Sequence, residues 1–449
     1  MISKLWNHQV VLLRDHKNFK SYCEPRVVSL GPIHHDEQKY RLTEEYKLVL
    51  ADDFIKKSGK RDKDLYEMVE KNIKQLREYY DEEVTKKYSD EALAWILFVD
   101  GCATLQFIDS VVKNKVKEFK IKDDHVAFVQ RDLFLLENQL PYQLLDDLMK
   151  MSEEEENLRN AILNFINWHS MLENEQFMGK KWTNMATNKD VVHLLDLLRT
   201  RLLADQSVEK DVNSFGNAQT QFIGMIHLQD CSSKSHKKKD WQSFRNVQEL
   251  RAAGIHLESS HNSCLRNITF TKKWNFYPGI LKLPPITVDD STGPKFFNLI
   301  AYEMCPDFDN DYGITSYISF LDSLIDEAQD VIDLRNAEIL RNFLGSDEEV
   351  ALVFNEIGTD LVPNPNIYKE VRSKIQEFYD TKLMTWISEV LHTHFSSPWT
   401  VLAFVGALFV LGLTIAQTVY TVIAYIDSKN QNSGQKKNPK APKPKAKLV

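Results

Sequence analysis

From Trp399 to Ile426 the chain reads WTVLAFVGALFVLGLTIAQTVYTVIAYI, 28 residues without one formal charge. About 20 apolar residues already cross the hydrocarbon core of a bilayer. In that medium a segment must satisfy its own backbone polar groups, which leaves a helix as the conformation for a single uncharged run. A buried core helix could have the same hydropathy, but soluble cores rarely need so long an uncharged stretch. The expectation is therefore one transmembrane helix over residues 398–426. Pro398 suits a helix start, and Trp399 and Tyr425 stand where interfacial aromatic rings collect. Gln417 is the strongly polar side chain within the run, and Ala403 with Ala407 makes a small-xxx-small step. Either feature would let the helix pair with a second copy, though both patterns are common by chance, so the span admits a homo-oligomer without requiring one.

Residues 427–449 hold seven lysines against one acid, Asp427, among alternating prolines and alanines. Such a composition buries no apolar area and is expected to be disordered and extended. On a cytosolic face it would attract anionic headgroups at about 1 kcal/mol per lysine. Its surplus of six positive charges, set within a net charge of −8, leaves −14 on the other 426 residues. A body this acidic is a poor binder of nucleic-acid phosphates. Two arguments about orientation oppose each other. The first residues, MISKLWNHQVVLLRDHKNF, lack the uninterrupted apolar stretch of a secretory signal, which favours a cytosolic body on a tail anchor. The seven lysines favour a cytosolic tail and a body on the opposite side. The first argument weighs more, because it concerns how a large domain could cross at all. A lumenal body would make Asn267, in Asn267-Ile268-Thr269, a candidate N-glycosylation site. The expected location is the plasma membrane or an endomembrane.

Ahead of the span the pattern is mostly helical. Residues 1–40 are turn-rich, since two prolines and a glycine between Pro25 and Pro32 forbid a helix. Over 41–395 apolar residues recur at three and four, as in EEYKLVLADDFIKK and LYEMVEKNIKQLREYYDEEV. SDEALAWILFVDGCATLQFIDSVV is apolar on most faces and reads as a central buried helix with Ser89 as its cap. In HVAFVQRDLFLLENQLPYQLLDDLMK, Pro141 must either kink a helix or start the next one. LRNAILNFINWHSML and DVVHLLDLLRTRLL are again helical, and the polar stretch 204–243 reads as a flexible connection. Short β-branched runs bounded by glycine, proline and asparagine predict strands near 255–288. Helices are expected again over KFFNLIAYEMC, TSYISFLDSLIDEAQDVIDLR, NAEILRNFLG and DEEVALVFNEIG, and then in a juxtamembrane segment. The fold class is thus mainly α, a large multi-helix domain with a small β element, followed by one C-terminal transmembrane helix.

Motifs of catalysis are absent. The chain has no GxxxxGK[ST] loop, GxGxxG fingerprint, GxSxG elbow or HExxH pair. Its five cysteines are far apart, without CxxC spacing. His34-His35-Asp36 could ligate a metal, but adjacent residues do not converge on one ion without a special turn. In Asp100-Gly101-Cys102 the carboxylate would raise the thiol pKa, the reverse of what a nucleophile needs, and Gly101 is better explained by close helix approach. Glu137-Asn138-Gln139 before Pro141 suits the satisfaction of backbone groups freed at a helix break. His193 lies on an apolar helix face, as a core histidine does.

Several blocks together resemble the plant membrane family called domain of unknown function 247, or uncharacterised protein family 0481. They are Pro25–His35 (PRVVSLGPIHH), Asp100-Gly101-Cys102, Asp132–Pro141 (DLFLLENQLP), His193–Arg199 (HLLDLLR), Leu250–Gly254 (LRAAG), Asn298–Glu303 (NLIAYE), Gly345–Asn355 (GSDEEVALVFN) and Ser397-Pro398-Trp399. The resemblance implies a single-pass membrane protein without established enzymatic activity. Some grass members of the family look like pollen self-incompatibility determinants. The segment His8-Gln9-Val10-Val11-Leu12 lacks the proline that the family often carries there. The resulting expectation is a membrane-anchored component that recognises or signals through a protein partner, with no catalytic residue, cofactor or metal. The alternatives are a membrane-bound enzyme, for which His34, His35, Asp100 and Glu137 should surround a cleft, and a passive scaffold.

Overall fold

The computed structural model describes residues 19–171, 191–204, 246–272, 278–379 and 398–434. It divides into two compact units, Met1–Thr381 and Lys382–Val449, each taken here by itself. The polar stretch 205–245, the first 18 residues and the end of the lysine-rich tail lie outside the described residues.

A short helix α1 (Phe19–Cys23) opens the first unit, and the chain then runs without regular structure to a 3-10 turn at Gln38–Tyr40. Helix α2 (Arg41–Ser58) ends at Gly59, whose φ of 71° supplies the left-handed stop that an L side chain rarely adopts. The stretch expected as one helix after residue 64 is broken at Asn72 into α3 (Asp62–Lys71) and α4 (Ile73–Arg77), followed by the single turn α5 (Glu82–Thr85). Helix α6 (Asp90–Val112) is the central helix that its apolar composition implies. Ser89 Oγ caps it by accepting from Ala92 N at 3.2 Å. Its length and hydropathy would also permit a membrane span, but 83% of its most apolar window is buried in the body, so it is a core helix.

Helix α7 (Asp123–Asp132) stops before the block that ends in Pro141, and an irregular segment with a 3-10 turn at Leu136–Asn138 follows. Pro141 then immediately precedes α8 (Tyr142–Met151), so it starts a helix and kinks none. With α9 (Glu155–His169), helices α2, α3 and α8 pack around α6. Gly101 lets α8 approach closely. A Cβ there would lie 2.7 Å from Leu148 Cδ1 and 3.2 Å from Leu144 Cδ2.

The second half begins with α10 (Leu194–Leu203) and α11 (Val247–Ala252) and contains the small β element. Strands β1 (Ile255–Ser259), β2 (Thr269–Thr271) and β3 (Gly279–Leu283) form a sheet in the order β1-β3-β2. β1 runs parallel to β3 with Ile255 opposite Gly279, and β2 runs antiparallel with Phe270 opposite Leu281. Strand β4 (Ile286–Val288) leads into α12 (Thr292–Glu303), and the run from Thr315 to Arg335 is divided between α13 (Gly313–Asp322) and α14 (Ala328–Asn336). NAEILRNFLG, expected as a helix, instead supplies β5 (Leu340–Asn342), parallel to β4 with Ile286 opposite Leu340. Three residues suffice for that pairing, because Ile339 and Leu340 are buried there. Helices α15 (Asp347–Ile357) and α16 (Lys369–Tyr379) complete the unit.

The second unit contributes α17 (Pro398–Gly434). Its stretch Val405–Ile426 is a candidate span by length and composition, with mean hydropathy 1.9 and none of it buried. Thr414, Thr418 and Thr421 donate their hydroxyls to the carbonyls of Val410, Thr414 and Gln417 at 2.8 Å. These internal bonds remove the cost of carrying free hydroxyls into an apolar medium. The helix continues eight residues past Ile426, so the start of the tail is helical where extended chain was expected.

The close approach at Gly101 gives a graded test. Gly101→Val should destabilise the fold by roughly 1–3 kcal/mol through overpacking against Leu148 and Leu144. Gly101→Ala should be nearer neutral, because a helix-propensity gain of about 1 kcal/mol opposes a smaller clash. Chemical denaturation of both variants checks the ordering.

Candidate functional site

The loop from Pro25 to His35 runs through the interior, where a backbone N–H or C=O left unpaired costs on the order of 1–3 kcal/mol. Neither helix nor sheet pairs it. Asp132, fully buried at the end of α7, takes the N–H groups of Arg26, Val27 and Val28 on one oxygen, Oδ2, at 2.9, 2.7 and 3.1 Å. Asn138 Oδ1 accepts from Leu30 N at 2.7 Å, while its Nδ2 donates to the carbonyls of Val28 and Asp132, each at 3.0 Å. Asp100 Oδ2 accepts from Gly31 N at 2.7 Å. The loop carbonyls are met in turn by Tyr40, Thr43 and Lys47, which donate to Pro25, Val27 and Ser29 at 2.6, 2.6 and 2.9 Å.

Lys47 sits on α2, 2% exposed, and reaches Asp100 at 2.5 Å and Glu44 at 2.7 Å. Burial alone would depress its ammonium, but the two carboxylates outweigh burial and hold it above the ordinary lysine value. Burial also pushes the Asp132 carboxyl up, partly opposed by the three N–H donors and by Arg131.

The remaining blocks work in the same way. Gln139 Nε2 donates to the carbonyls of Leu133 and Leu135, and its Oε1 accepts from Leu195 N at the start of α10. His193 caps α10, with Nδ1 accepting from Asp196 N at 3.0 Å, and its ring stacks edge-on against Tyr302. Asn298 accepts from Leu136 N and donates to the carbonyls of Tyr22 and Pro294, each at 2.8 Å. Glu303 is fully buried, takes Arg199 Nε at 2.8 Å, and accepts from the N–H groups of Ile314 and Thr315 at the start of α13.

Above the clamped loop lies a cleft of about 450 Å³. Val28, Leu30 and Leu133 form part of its lining, α6 contributes Thr104 and Phe107, and α2 contributes Leu42, Tyr46 and Val49. Those last three side chains are 75%, 46% and 54% exposed, an apolar face at helical spacing that none of the described residues covers. Lys120, Lys122 and His125 lie along the lining and Glu45 joins them from α2. The Thr104 hydroxyl, buried and without a hydrogen-bond partner, also lines the cleft. Sequence reasoning missed this face, because residues 42, 46 and 49 carry the same periodicity as a core stripe.

The histidines of the loop stand against carboxylates. His34 Nδ1 lies 2.5 Å from Glu37 and its Nε2 lies 3.8 Å from Glu137, while His35 is 3.8 Å from Glu44. Asp36 bonds Lys87 and Tyr88. The sequence candidates His34, His35, Asp100 and Glu137 are therefore near one another, linked through Glu44 and Lys47, but none of them lines the cleft. Among the described residues no group of three His, Cys, Asp or Glu side chains is placed to hold a metal. Cys102 is buried, which pushes its thiol up. Asn267 stands in the turn before β2, half-buried, its Nδ2 3.4 Å from Ser260 Oγ. Of the span ends, Ile426 is exposed on α17, whose first turn contains Trp399.

Comparison with known proteins places these features in a lineage. The model of the DUF247 family, described as a plant protein of unknown function, matches residues 10–413. UPF0481 protein At3g47200 of Arabidopsis thaliana is 29% identical over 438 residues, covering 92% of this chain and 86% of its own length. Putative UPF0481 protein At3g02645 of the same plant is 21% identical over 465 residues, covering 88% of this chain and 86% of its own length. No solved structure matches.

Two outcomes follow from the clamp. Asp132→Ala leaves three N–H groups without an acceptor, that of Val28 buried and those of Arg26 and Val27 part-buried, and should cost at least about 1–3 kcal/mol in chemical denaturation, whereas Asp132→Asn, keeping one carbonyl oxygen, should cost less. His193 gives a pH test. Burial pulls its imidazole down to about 3. The unfolded chain takes up this proton below about pH 6.5 and the folded chain does not, so stability falls as pH drops from 6.5 towards 3. His193→Asn keeps a capping side chain and removes that proton, and should reduce the acid-side slope by up to about 1.4 kcal/mol per pH unit.

Proposed function

We propose that this chain, which belongs to the plant DUF247 family, is a membrane-anchored recognition protein that holds its helical body at a bilayer and works by binding a partner protein. The observation that carries the reading is the helix over Val405–Ile426, apolar, wholly exposed and internally bonded at its threonines. A helix of that kind gains little from water and much from lipid. Recognition is supported by how the polar residues are used. Asp100, Asp132, Asn138, Gln139, Asn298 and Glu303 are all engaged with buried backbone groups, and the apolar face of Leu42, Tyr46 and Val49 is left uncovered by the described residues, beside basic side chains. Exposed apolar area rimmed by polar groups is the usual form of a protein-binding surface. The partner that fits is a segment presenting apolar side chains to the cleft and carboxylates to Lys120 and Lys122.

Two measurements test the reading. Alkaline carbonate extraction should leave the full chain in the membrane pellet. A Val410→Asp, Leu411→Lys variant should move to the supernatant, because each charge at a helix centre costs about 2.5–3.5 kcal/mol of insertion; an unaltered chain that is itself extracted would contradict the anchor. A photo-crosslinking residue at position 46, in native membranes, should give a discrete protein adduct that is lost in Leu42→Glu, Val49→Glu, with the crosslinked peptide rich in apolar and acidic residues. Adducts that persist in the variant, or that contain lipid alone, would contradict recognition through this face.

A further inference from the structure

A second cavity of about 670 Å³, separate from the cleft, is lined by Arg26, Arg131, His169, Asp289 and Lys295, with Phe128 and Pro294 among its apolar walls. Lys295 lies in the first turn of α12 and is 3% exposed. Its ammonium makes one long hydrogen bond, 3.5 Å to the carbonyl of His169, and stands 5.9 Å from the centre of the Phe134 ring. Burial pulls the ammonium down to about 8. Arg131 is 8% exposed, and its Nε is buried without a partner. The contacts of its Nη2 are weak, 3.4 Å to the carbonyl of Glu24 and 3.5 Å to Asp132 Oδ1. Asp132 cannot serve it better, because the carboxylate is fixed by the three loop N–H groups.

Two buried cations with unmet donors line one space, a costly arrangement unless an anion completes it. The acids nearby supply only part of it: Asp132 Oδ1 pairs with Arg131 Nη2 at 3.5 Å and Asp289 attracts the Lys295 ammonium, yet the Arg131 Nε is left without a partner. Asp289 Oδ1 is occupied by Ser291 N, Ser291 Oγ and Thr292 Oγ1 at 2.9, 2.6 and 3.2 Å, and Asp290 is exposed. Arg26 adds a third cation at the mouth, its guanidinium 5.0 Å from the centre of the Phe128 ring. We infer that this cavity is a binding site for a small organic anion, a phosphate or carboxylate carried on an apolar or aromatic body, held by Lys295 and Arg131 and entered past Arg26. The volume exceeds what a bare phosphate needs, and the Phe128 and Pro294 walls suit the body of such a ligand. The inference does not rest on the anchor or on the cleft.

Isothermal titration of the full chain in detergent micelles, with phenyl phosphate, phenylacetate and dihexanoyl phosphatidic acid as probes, tests it. Saturable binding of at least one probe is expected, weakened tenfold or more by Lys295→Met and by Arg131→Gln and retained by Lys295→Arg, with Leu42→Glu without effect. Tighter binding of phosphatidic acid would assign the site to a lipid headgroup, and tighter binding of phenyl phosphate or phenylacetate to a soluble anion. A variant-free measurement accompanies it, in which the bound probe should slow acetylation of Lys295 in the unaltered protein, read by peptide mass spectrometry. No saturable binding by any probe, or equal affinity in both Lys295→Met and Arg131→Gln, or undiminished acetylation at saturating probe, would overturn the inference.

Discussion

A chain segment that is buried but has no regular structure must find its hydrogen bonds elsewhere, and the loop Pro25–His35 finds them in side chains drawn from distant parts of the sequence. One oxygen of Asp132 gathers three successive N–H groups, and Asn138 and Asp100 take those of Leu30 and Gly31. Lys47 closes the circuit by meeting both the Ser29 carbonyl and the Asp100 carboxylate. The order of dependence runs outward from there. Asn138 ties the loop to the segment before α8, Gln139 ties that segment to α10, and Arg199 with Glu303 ties α10 to α12 and α13.

This use of polar groups shapes the functional surface. Asp100, Asp132 and Asn138 are committed to backbone, and what the clamped loop presents to the cleft is the apolar lining formed by the buried Val28 and Leu30. The cleft is firm on the loop side because the backbone from Pro25 to Gly31 is held by side chains, and it is open on the α2 side because none of the described residues covers Leu42, Tyr46 and Val49. On the proposed reading, such a surface would recognise a partner by shape and apolar contact, with the charges of Lys120 and Lys122 setting its orientation.

Much of the scaffold was legible in the sequence. The Ser89 cap, the uniformly apolar α6, the proline that opens α8, the helical contact at Gly101 and the β-branched runs of β1 to β4 all announce themselves locally. The exposed α17 follows from its lack of charge. What failed was non-local. β5 reads as helix because its pairing with β4 lies more than 50 residues away in the chain, and a three-residue strand has too few positions to show a period of two. The family blocks identified the right residues without their partners, since Arg26 meets Asp132 across 106 positions and Leu136 meets Asn298 across 162. Glu137-Asn138-Gln139 reads as a backbone-satisfying group, but nothing local indicates that part of the backbone it satisfies belongs to a loop 108 residues earlier. The cavity around Lys295 and Arg131 was invisible for the same reason.

Hydrogen–deuterium exchange at the amides of Arg26, Val27, Val28, Leu30 and Gly31 tests the central claim most directly. If side-chain acceptors hold this loop in the interior, those five amides exchange as slowly as the middle turns of α6. Exchange on the timescale of an unstructured peptide, with α6 still protected, would show that the loop is not clamped and that the blocks carrying Asp100, Asp132 and Asn138 have another purpose.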